Sequence, residues 1–553
     1  MPTVIVDNRE VELPEGQQLN CIQAAALAGV EIPHFCFHPG LSVVGSCRMC
    51  LVEIGKRDPQ TGHITMFPKL QPACNTPAVD GTVIITQSEK VQQARAMVEE
   101  DLLLRHPIDC PICDKAGECR LQDYHYRYGQ KERRAEIDPF HSRRHDLGDV
   151  WLFVDRCIMC TRCVRFVREV VGTGELLVLA RGAHEEIAVL PGYPLQNKLS
   201  GNVVDLCPVG ALADKDFLYK QRVWFLRSHP GVCPHCATGC SIWIDENQDH
   251  LWRIRPRENP HVNRWWICND GRYGYHQVHD RRRLLGPRRR TPDGWQPLDW
   301  SQTPGMVREA LERAGRLAAV LSPFLTVEEA YLLALLVRRI DPEALLGLGP
   351  VPRVGQDERF PGGFTISAEK CPNRRGVEAV LSYFMKGRVL SFEELLAQLE
   401  ARQIRGIWIT GGYKPALEPV PHVLDQAVAD RLEGLELVIV QDMFPSPVAE
   451  RADYLLPAAA WAEREGSYVN RADRLQSFRR AIRPPRGVLP EGWLLWQMHQ
   501  RAGRFDADAV LDEIAQQITY FAPAVYEIPE VGLDLKTGLL AANAAQSASD
   551  VTV

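Results

Sequence analysis

The sequence predicts an α/β protein of several domains, and three observations carry that prediction. The chain has 553 residues, room for three or four domains at roughly 150 residues each. Of its 17 cysteines, sixteen precede residue 269 and only Cys371 follows it. Beyond that point LAAVLSP (317–323), IRGIWITGG (404–412) and LELVIVQD (435–442) read as buried strands. Helical stretches separate them, which predicts Rossmann-like, doubly wound units. A cysteine-rich half therefore precedes a cysteine-poor α/β half.

Composition narrows the function. Hydrophobic residues at 45% and charged residues at 24% fit an ordinary globular protein. The net charge of −6 disfavours a general nucleic-acid binder. No apolar run approaches the eighteen or so residues of a membrane span. The opening MPTVIVDNREVELPEG has no basic region followed by an apolar stretch, so no signal peptide is expected. A secreted disulfide scaffold would be short. In a reducing compartment, clustered cysteines point instead to metal or redox chemistry. A simple hydrolase, a membrane channel and a disulfide framework are all disfavoured.

The first unit, residues 1–88, opens with TVIVDN and VELPEG, two strands joined by a polar turn at Asp7, Asn8 and Arg9. A helix is expected from Gln17 to Gly29, with Gly29 as its stop. The following loop carries Cys36, Cys47 and Cys50 as C-x10-C-x2-C, Cys74 comes later in QPACNTP, and TVIITQSE closes the unit as a strand. Four thiolates on a wrapping loop are what a [2Fe–2S] cluster needs. Gly45 and Ser46 are small enough for close backbone approach there. Cys21, on the helix, reads as packing.

A helix is expected over 88–105, with a stripe of Val91, Ala94, Met97, Val98, Leu102 and Leu103. It runs into H-x3-C-x2-C-x5-C at His106, Cys110, Cys113 and Cys119. Pro107 and Pro111 stop the helix and hold the loop open, and Gly117 permits a tight turn. Three thiolates and one imidazole suit either zinc or a [4Fe–4S] cluster. DRCIMCTRCV then gives C-x2-C-x2-C at Cys157, Cys160 and Cys163. Bacterial ferredoxins place a fourth Cys four residues on; here that position is Val167, so Cys207, in a Cys-Pro pair, is the expected fourth ligand. Last comes C-x2-C-x3-C at Cys233, Cys236 and Cys240, with Cys268 after a strand-like aromatic stretch. A zinc ribbon would prefer two C-x2-C pairs, so this too reads as [4Fe–4S].

In this order the four motifs resemble the 75 kDa iron–sulfur subunit family of the proton-pumping NADH–quinone oxidoreductase, respiratory complex I, over about residues 1–480. The resemblance implies one [2Fe–2S] cluster on Cys36, Cys47, Cys50 and Cys74. It implies three [4Fe–4S] clusters: one on His106, Cys110, Cys113 and Cys119, one on Cys157, Cys160, Cys163 and Cys207, and one on Cys233, Cys236, Cys240 and Cys268. The implied organisation is a β-grasp [2Fe–2S] ferredoxin domain (1–88), a one-His/three-Cys segment (89–130) and a ferredoxin-like [4Fe–4S] segment (131–222). A molybdopterin-oxidoreductase-type [4Fe–4S] domain (226–282), a degenerate molybdopterin-oxidoreductase-like α/β domain (283–535) and a disordered tail (536–553) complete it. The stretch ADYLLPAAAWAEREGSYVNRADRLQ also resembles molybdopterin oxidoreductases.

Molybdenum chemistry is not expected. Active formate dehydrogenases carry a Lys shortly after the last cluster Cys, and Asp270 stands there. Cys371 reads as an ordinary Cys near a loop. Arg281–Arg283 and Arg288–Arg290 read as a solvated linker or subunit contact, and Thr326 with Glu329 as a capping box for a helix through Ile340. No G-x-G-x-x-G follows a strand, so no NAD or flavin site is visible. The chain is read as an electron carrier without bond-making residues. By the resemblance, electrons from NADH arrive through FMN on a partner subunit and leave towards quinone through iron–sulfur partners. The chain would lie peripherally on the cytoplasmic side of the bacterial inner membrane, with no span of its own and no nucleic acid. Two other readings stay open: the catalytic subunit of an NAD-linked molybdenum formate dehydrogenase, and a zinc-stabilised scaffold with no redox role. A soluble hydrogenase diaphorase subunit shares the first three sites but is usually shorter.

Overall fold

Along Thr3–Val6 the side chains alternate, Val4 and Val6 inward, and this strand seeds the first sheet. The computed structural model describes residues 1–132, 134–135, 143–182, 184–414, 422–525 and 527–537. It divides into two compact units, one of Met1–Leu226 with Phe360–Phe364, the other of Arg227–Arg359 with the chain from Thr365 onward. The expected tail, GLLAANAAQSASDVTV, lies outside the described residues.

In the first unit Thr3–Val6 pairs antiparallel with Arg9–Glu12. Asp7 and Asn8 take φ of 43° and 67°, the two-residue left-handed turn that short polar residues tolerate best; Arg9 already belongs to the second strand. Thr82–Ile85 runs parallel to Thr3–Val6 and antiparallel to Leu51–Arg57. The helix on this sheet, Cys21–Leu27, is shorter than expected. Asn20 accepts the Gln23 N–H at 3.0 Å and the Gln23 side chain accepts the Asn20 N–H at 3.1 Å, so this reciprocal cap starts the helix at Cys21. Gly29, at φ +72°, ends it as expected. Cys21 is fully buried among Val4, Val6, Ala25, Val52 and Ile84.

The next helix, Glu89–Arg105, starts from a Ser88 cap. Its inward face differs from the expected stripe. Val91, Arg95 and Glu99 are buried, whereas Met97 is exposed and Ala94, Val98, Leu102 and Leu103 are only half-buried. An i, i+4, i+8 row containing two charges cannot be read from apolar spacing. The helix stops at Arg105, just before His106 and Pro107.

In the second unit, Arg227–Val232, Ser241–Asn247 and His250–Pro256 form an antiparallel sheet beside the last cysteine motif. A seven-stranded sheet follows in the order Gly294–Pro297, Arg288–Thr291, Tyr454–Pro457, Leu437–Asp442, Gly406–Thr410, Leu317–Leu321 and Leu345–Leu348. The last five strands are mutually parallel. The three apolar runs expected as strands all lie here, and every residue of the strands Leu317–Leu321, Gly406–Thr410 and Leu437–Asp442 is buried. Leu317, Ala319 and Leu321 pack into one core and Ala318 and Val320 into the other. Cover on both faces is why these strands read as continuous apolar runs. Thr326 and Glu329 do form a capping box on Val327–Ile340. The basic run is not simply solvated: Arg283 is buried and bonds both Glu463 oxygens, at 2.6 and 2.7 Å. Among the described residues no helix is long and apolar enough to cross a membrane.

Candidate metal centres

The first cysteine set sits where the loop after Gly29 meets the sheet. Cys50 directly precedes Leu51–Arg57, and the Ala73 N–H donates to the Cys50 carbonyl at 3.0 Å. That bond draws Cys74 to Cys50 although 24 positions separate them. The Cys36 thiol lies against Cys47 and Cys74, whose hydrogen bonds push it down, and Cys74 lowers Cys50 in the same way. Cys74, Cys47, Cys50 and Cys36 are thus brought together. Gly45 has open space where a Cβ would stand, so close approach is not what it provides. Its φ of +62° is.

The second set follows the helix end. Cys119 caps Arg120–Tyr128, and the Cys113 N–H donates to the Asp109 carbonyl at 2.8 Å. The Cys113 thiol is acted on by Cys110, and Cys119 by Cys113. Gly117, at φ +89°, makes the expected turn. The buried His106 Nδ1 has no hydrogen-bond partner among the described residues. Burial, reinforced by Arg156, pushes His106 down to about 4. The imidazole is therefore neutral near pH 7, the form that coordinates metal.

The third set surrounds a cavity within the first unit. Cys157, Cys160, Cys163 and Cys207 all line one cavity, with Leu152, Ile158 and Ile187 as apolar cover. Met159 and Thr161, at φ of 49° and 57°, curl the loop so that successive cysteines face the same space. Val167 is fully buried, and Cys207, closing the helix Asn202–Leu206, stands on the cavity wall instead. The fourth set is buried throughout. The Cys233 N–H donates to the Cys240 carbonyl at 2.8 Å, and the Gly271 N–H to the Cys268 sulfur at 3.4 Å. A Cβ on Gly271 would stand 3.2 Å from the Cys233 sulfur. Burial is the main cause raising Cys163, Cys233 and Cys240 well above the ordinary thiol value, and it pushes Cys268 up to about 12. Bare, these thiols hold their protons, and metal binding would release them.

Several residues around these sets carried no recognisable sequence signal. Arg165 donates to the Cys36 carbonyl at 2.6 Å and Arg162 to the Phe37 carbonyl, so the third motif's own arginines hold the first loop. Arg222 donates to the Cys113 carbonyl at 2.8 Å. Lys370 and Lys414 place positive charge towards Cys268 and Cys233. Cys371 is fully buried, its sulfur 3.8 Å from a Glu369 oxygen. Among the described residues no three His, Cys, Asp or Glu side chains converge on a point that would suit a single metal ion.

Family models match the same segments. A "2Fe-2S iron-sulfur cluster binding domain" covers 2–89 and a "NADH-ubiquinone oxidoreductase-G iron-sulfur binding region" covers 95–134. The "NADH-quinone oxidoreductase subunit 3, ferredoxin-like domain" covers 150–213. "Molybdopterin oxidoreductase Fe4S4 domain" and "Molybdopterin oxidoreductase" cover 226–280 and 386–493. The NADH-ubiquinone oxidoreductase 75 kDa subunit of Reclinomonas americana is 35% identical over 370 residues, 65% of this chain and 51% of the relative. Over these residues the chain is similar to NADH-quinone oxidoreductase G and 75 kDa subunits. The NADH-quinone oxidoreductase G-subunit of Rickettsia typhi is 35% identical over 348 residues, 62% of this chain and 49% of its own. The mitochondrial NADH dehydrogenase [ubiquinone] iron-sulfur protein 1 of Solanum tuberosum is 39% identical over 318 residues, 56% and 40%. The chain spans about half the length of these 75 kDa-type relatives.

Proposed function

We propose that the chain is the iron–sulfur electron carrier of a proton-translocating NADH–quinone oxidoreductase. It would pass electrons from NADH, by way of FMN on a partner subunit, towards quinone through iron–sulfur partners. The observation that carries this is the third set: four cysteines from two remote stretches line one buried cavity, inside a segment matched by a subunit 3 ferredoxin-like domain. The assigned ligands are Cys36, Cys47, Cys50 and Cys74 for a [2Fe–2S] cluster, and the His106, Cys157 and Cys233 sets for three [4Fe–4S] clusters. On this reading the first unit holds a β-grasp domain (1–88) and segments 89–130 and 131–222. The second holds 226–282 and a Rossmann-like region, 283–535, without bound molybdopterin. The match to molybdopterin oxidoreductases over 386–493 favours formate dehydrogenase as the second reading. Against it, Asp270 puts a negative charge where those enzymes carry a Lys. A zinc scaffold would need four donors closing on one ion about 2.3 Å away.

The bound clusters supply one-electron redox capacity. The chain's own residues do the rest. Each set fixes four donors, and apolar side chains such as Leu152 and Ile187 exclude water from the third. The neutral His106 leaves its site less negative than four thiolates would, which favours a higher potential. The first unit keeps its sites close: the Arg120 N–H beside Cys119 donates at 3.0 Å to the carbonyl of Pro208 beside Cys207. By the same reading the chain is peripheral, on the cytoplasmic face of the bacterial inner membrane.

Serine substitution tests the assignment. Cys157→Ser is expected to remove one [4Fe–4S] EPR signal and to stop quinone reduction in the assembled complex. Cys233→Ser is expected to remove a different signal and to act mainly on assembly. Unchanged spectra in both variants would contradict the ligand sets.

A further inference from the structure

Arg162 and Arg165 lie inside the third cysteine motif, on the short helix Arg162–Arg165, and both are buried. Among the described residues, every hydrogen bond of their guanidinium groups ends on a backbone carbonyl. One Arg165 Nη donates to the Cys36 carbonyl at 2.6 Å and to the Cys160 carbonyl at 3.2 Å. The other Nη donates to the Ser42 carbonyl. Arg162 donates to the Leu206 carbonyl, beside Cys207, at 3.4 Å and to the Phe37 carbonyl, beside Cys36. The Nε of each arginine has no partner among the described residues. Glu169, four positions after Arg165, directs its oxygens to Ser42, at 2.8 Å from the N–H and 2.5 Å from the hydroxyl. Both arginines therefore reach from the first ligand set to the third. Arg165 does so through a ligand residue on each side, with one nitrogen shared between Cys36 and Cys160. Buried cations held only by neutral carbonyls are unfavourable unless negative charge stands nearby, and the two thiolate sets that they join supply it.

We propose that Arg165, seconded by Arg162, is a cation shared by two metal centres, a positioning residue that fixes the [2Fe–2S] cluster beside the [4Fe–4S] cluster of the Cys157 set and stabilises the reduced state of both. The inference rests on the proposed function and its ligand sets. Reduction of either cluster adds one electron, hence one negative charge, next to the same guanidinium. Water is largely excluded there, so the fixed positive charge favours that electron on either side. When one electron passes between the two clusters, one is oxidised as the other is reduced, and the total charge facing Arg165 is unchanged. The shared cation therefore lifts both potentials together instead of opening a gap between them.

The test is an EPR-monitored redox titration of the full chain, wild type against Arg165→Gln, which loses the charge, and Arg165→Lys, which keeps it. In Arg165→Gln the [2Fe–2S] signal and the signal of the Cys157 set should both shift towards the oxidised form by about tenfold at a given potential, a fall of about 59 mV for a one-electron couple. Arg165→Lys should stay near wild type, and the signal of the Cys233 set should hold its midpoint in both variants. Either midpoint unmoved in Arg165→Gln, or an equal fall in Arg165→Lys, overturns the proposal. Loss of either cluster from both variants overturns it too, because charge is then not what matters. A measurement on the unsubstituted arginine stands apart from folding. Reducing the Cys157-set cluster should speed the spin relaxation of the [2Fe–2S] signal in wild type, read by microwave-power saturation, and Cys157→Ser should abolish that acceleration. Identical saturation in wild type and Cys157→Ser overturns the neighbouring placement. Absence of both signals from wild type would sink the ligand sets themselves, a failure distinct from loaded clusters with unmoved midpoints.

Discussion

Gly210→Ala is expected to empty the second metal centre while leaving the other three loaded. A Cβ on Gly210 would stand 2.1 Å from the Cys113 sulfur and 3.4 Å from the Lys115 Cβ, the first far inside van der Waals contact. Gly210 does not take a positive φ, so alanine meets no backbone penalty and the clash acts alone. Cys113 has little freedom to yield. Its N–H is held by Asp109, and Arg222 holds its carbonyl. Arg156, bonded to Asp109 at 2.9 Å, lies 3.8 Å from the same Cβ position. The sulfur would have to leave the set that includes His106 and Cys119. The variant should lose about four irons per chain, with one [4Fe–4S] EPR signal missing and the Cys157 set unaffected. Full iron content with an unaltered spectrum would show that Cys113 is not a ligand.

Arg464→Met is expected to lower the stability of the second unit by about 3–5 kcal/mol. Arg464 is buried and ties its own segment to residues 324–329 and to Glu491. It donates to Glu329 at 3.1 Å, to Glu491 at 3.2 Å and to the Phe324 carbonyl at 2.7 Å. Both carboxylates are themselves buried. Burial pushes Glu491 up to about 7 even with Arg464 opposing it, so removing the cation leaves two buried acids facing each other. Denaturant unfolding followed through the unit's tryptophans should show an earlier transition. Adding Glu329→Gln and Glu491→Gln to the same chain should recover much of the loss, because the cost lies in the orphaned charge. A loss under about 1 kcal/mol, the range of exposed ion pairs, would contradict this.

What the sequence disclosed follows a physical rule. Features set by local chemistry were legible: the left-handed turns at Gly29 and Gly117, the stop at Pro107, the Thr326–Glu329 cap, and the parallel strands that are apolar on both faces. Motif spacing named sixteen candidate ligands; the four cysteines of the third set line one cavity, and Cys74 lies against Cys36 and Cys50. Features set by long-range packing were not legible. Arg95 and Glu99 hold the inward face of a helix whose apolar residues lie to one side. Arg283 and Arg464 look like ordinary surface charges until Glu463, Glu329 and Glu491 arrive from remote segments. Arg162 and Arg165 sit inside a cysteine motif yet act on the loop of another one.

Combined iron, acid-labile sulfide and zinc analysis of the purified chain, with EPR after reduction, tests the central claim most directly. Four loaded sets predict about fourteen irons per chain, from one two-iron and three four-iron clusters, with matching sulfide and both cluster types in the spectrum. Zinc in near-stoichiometric amount at several sites, with neither sulfide nor a reduced-state signal, would contradict it.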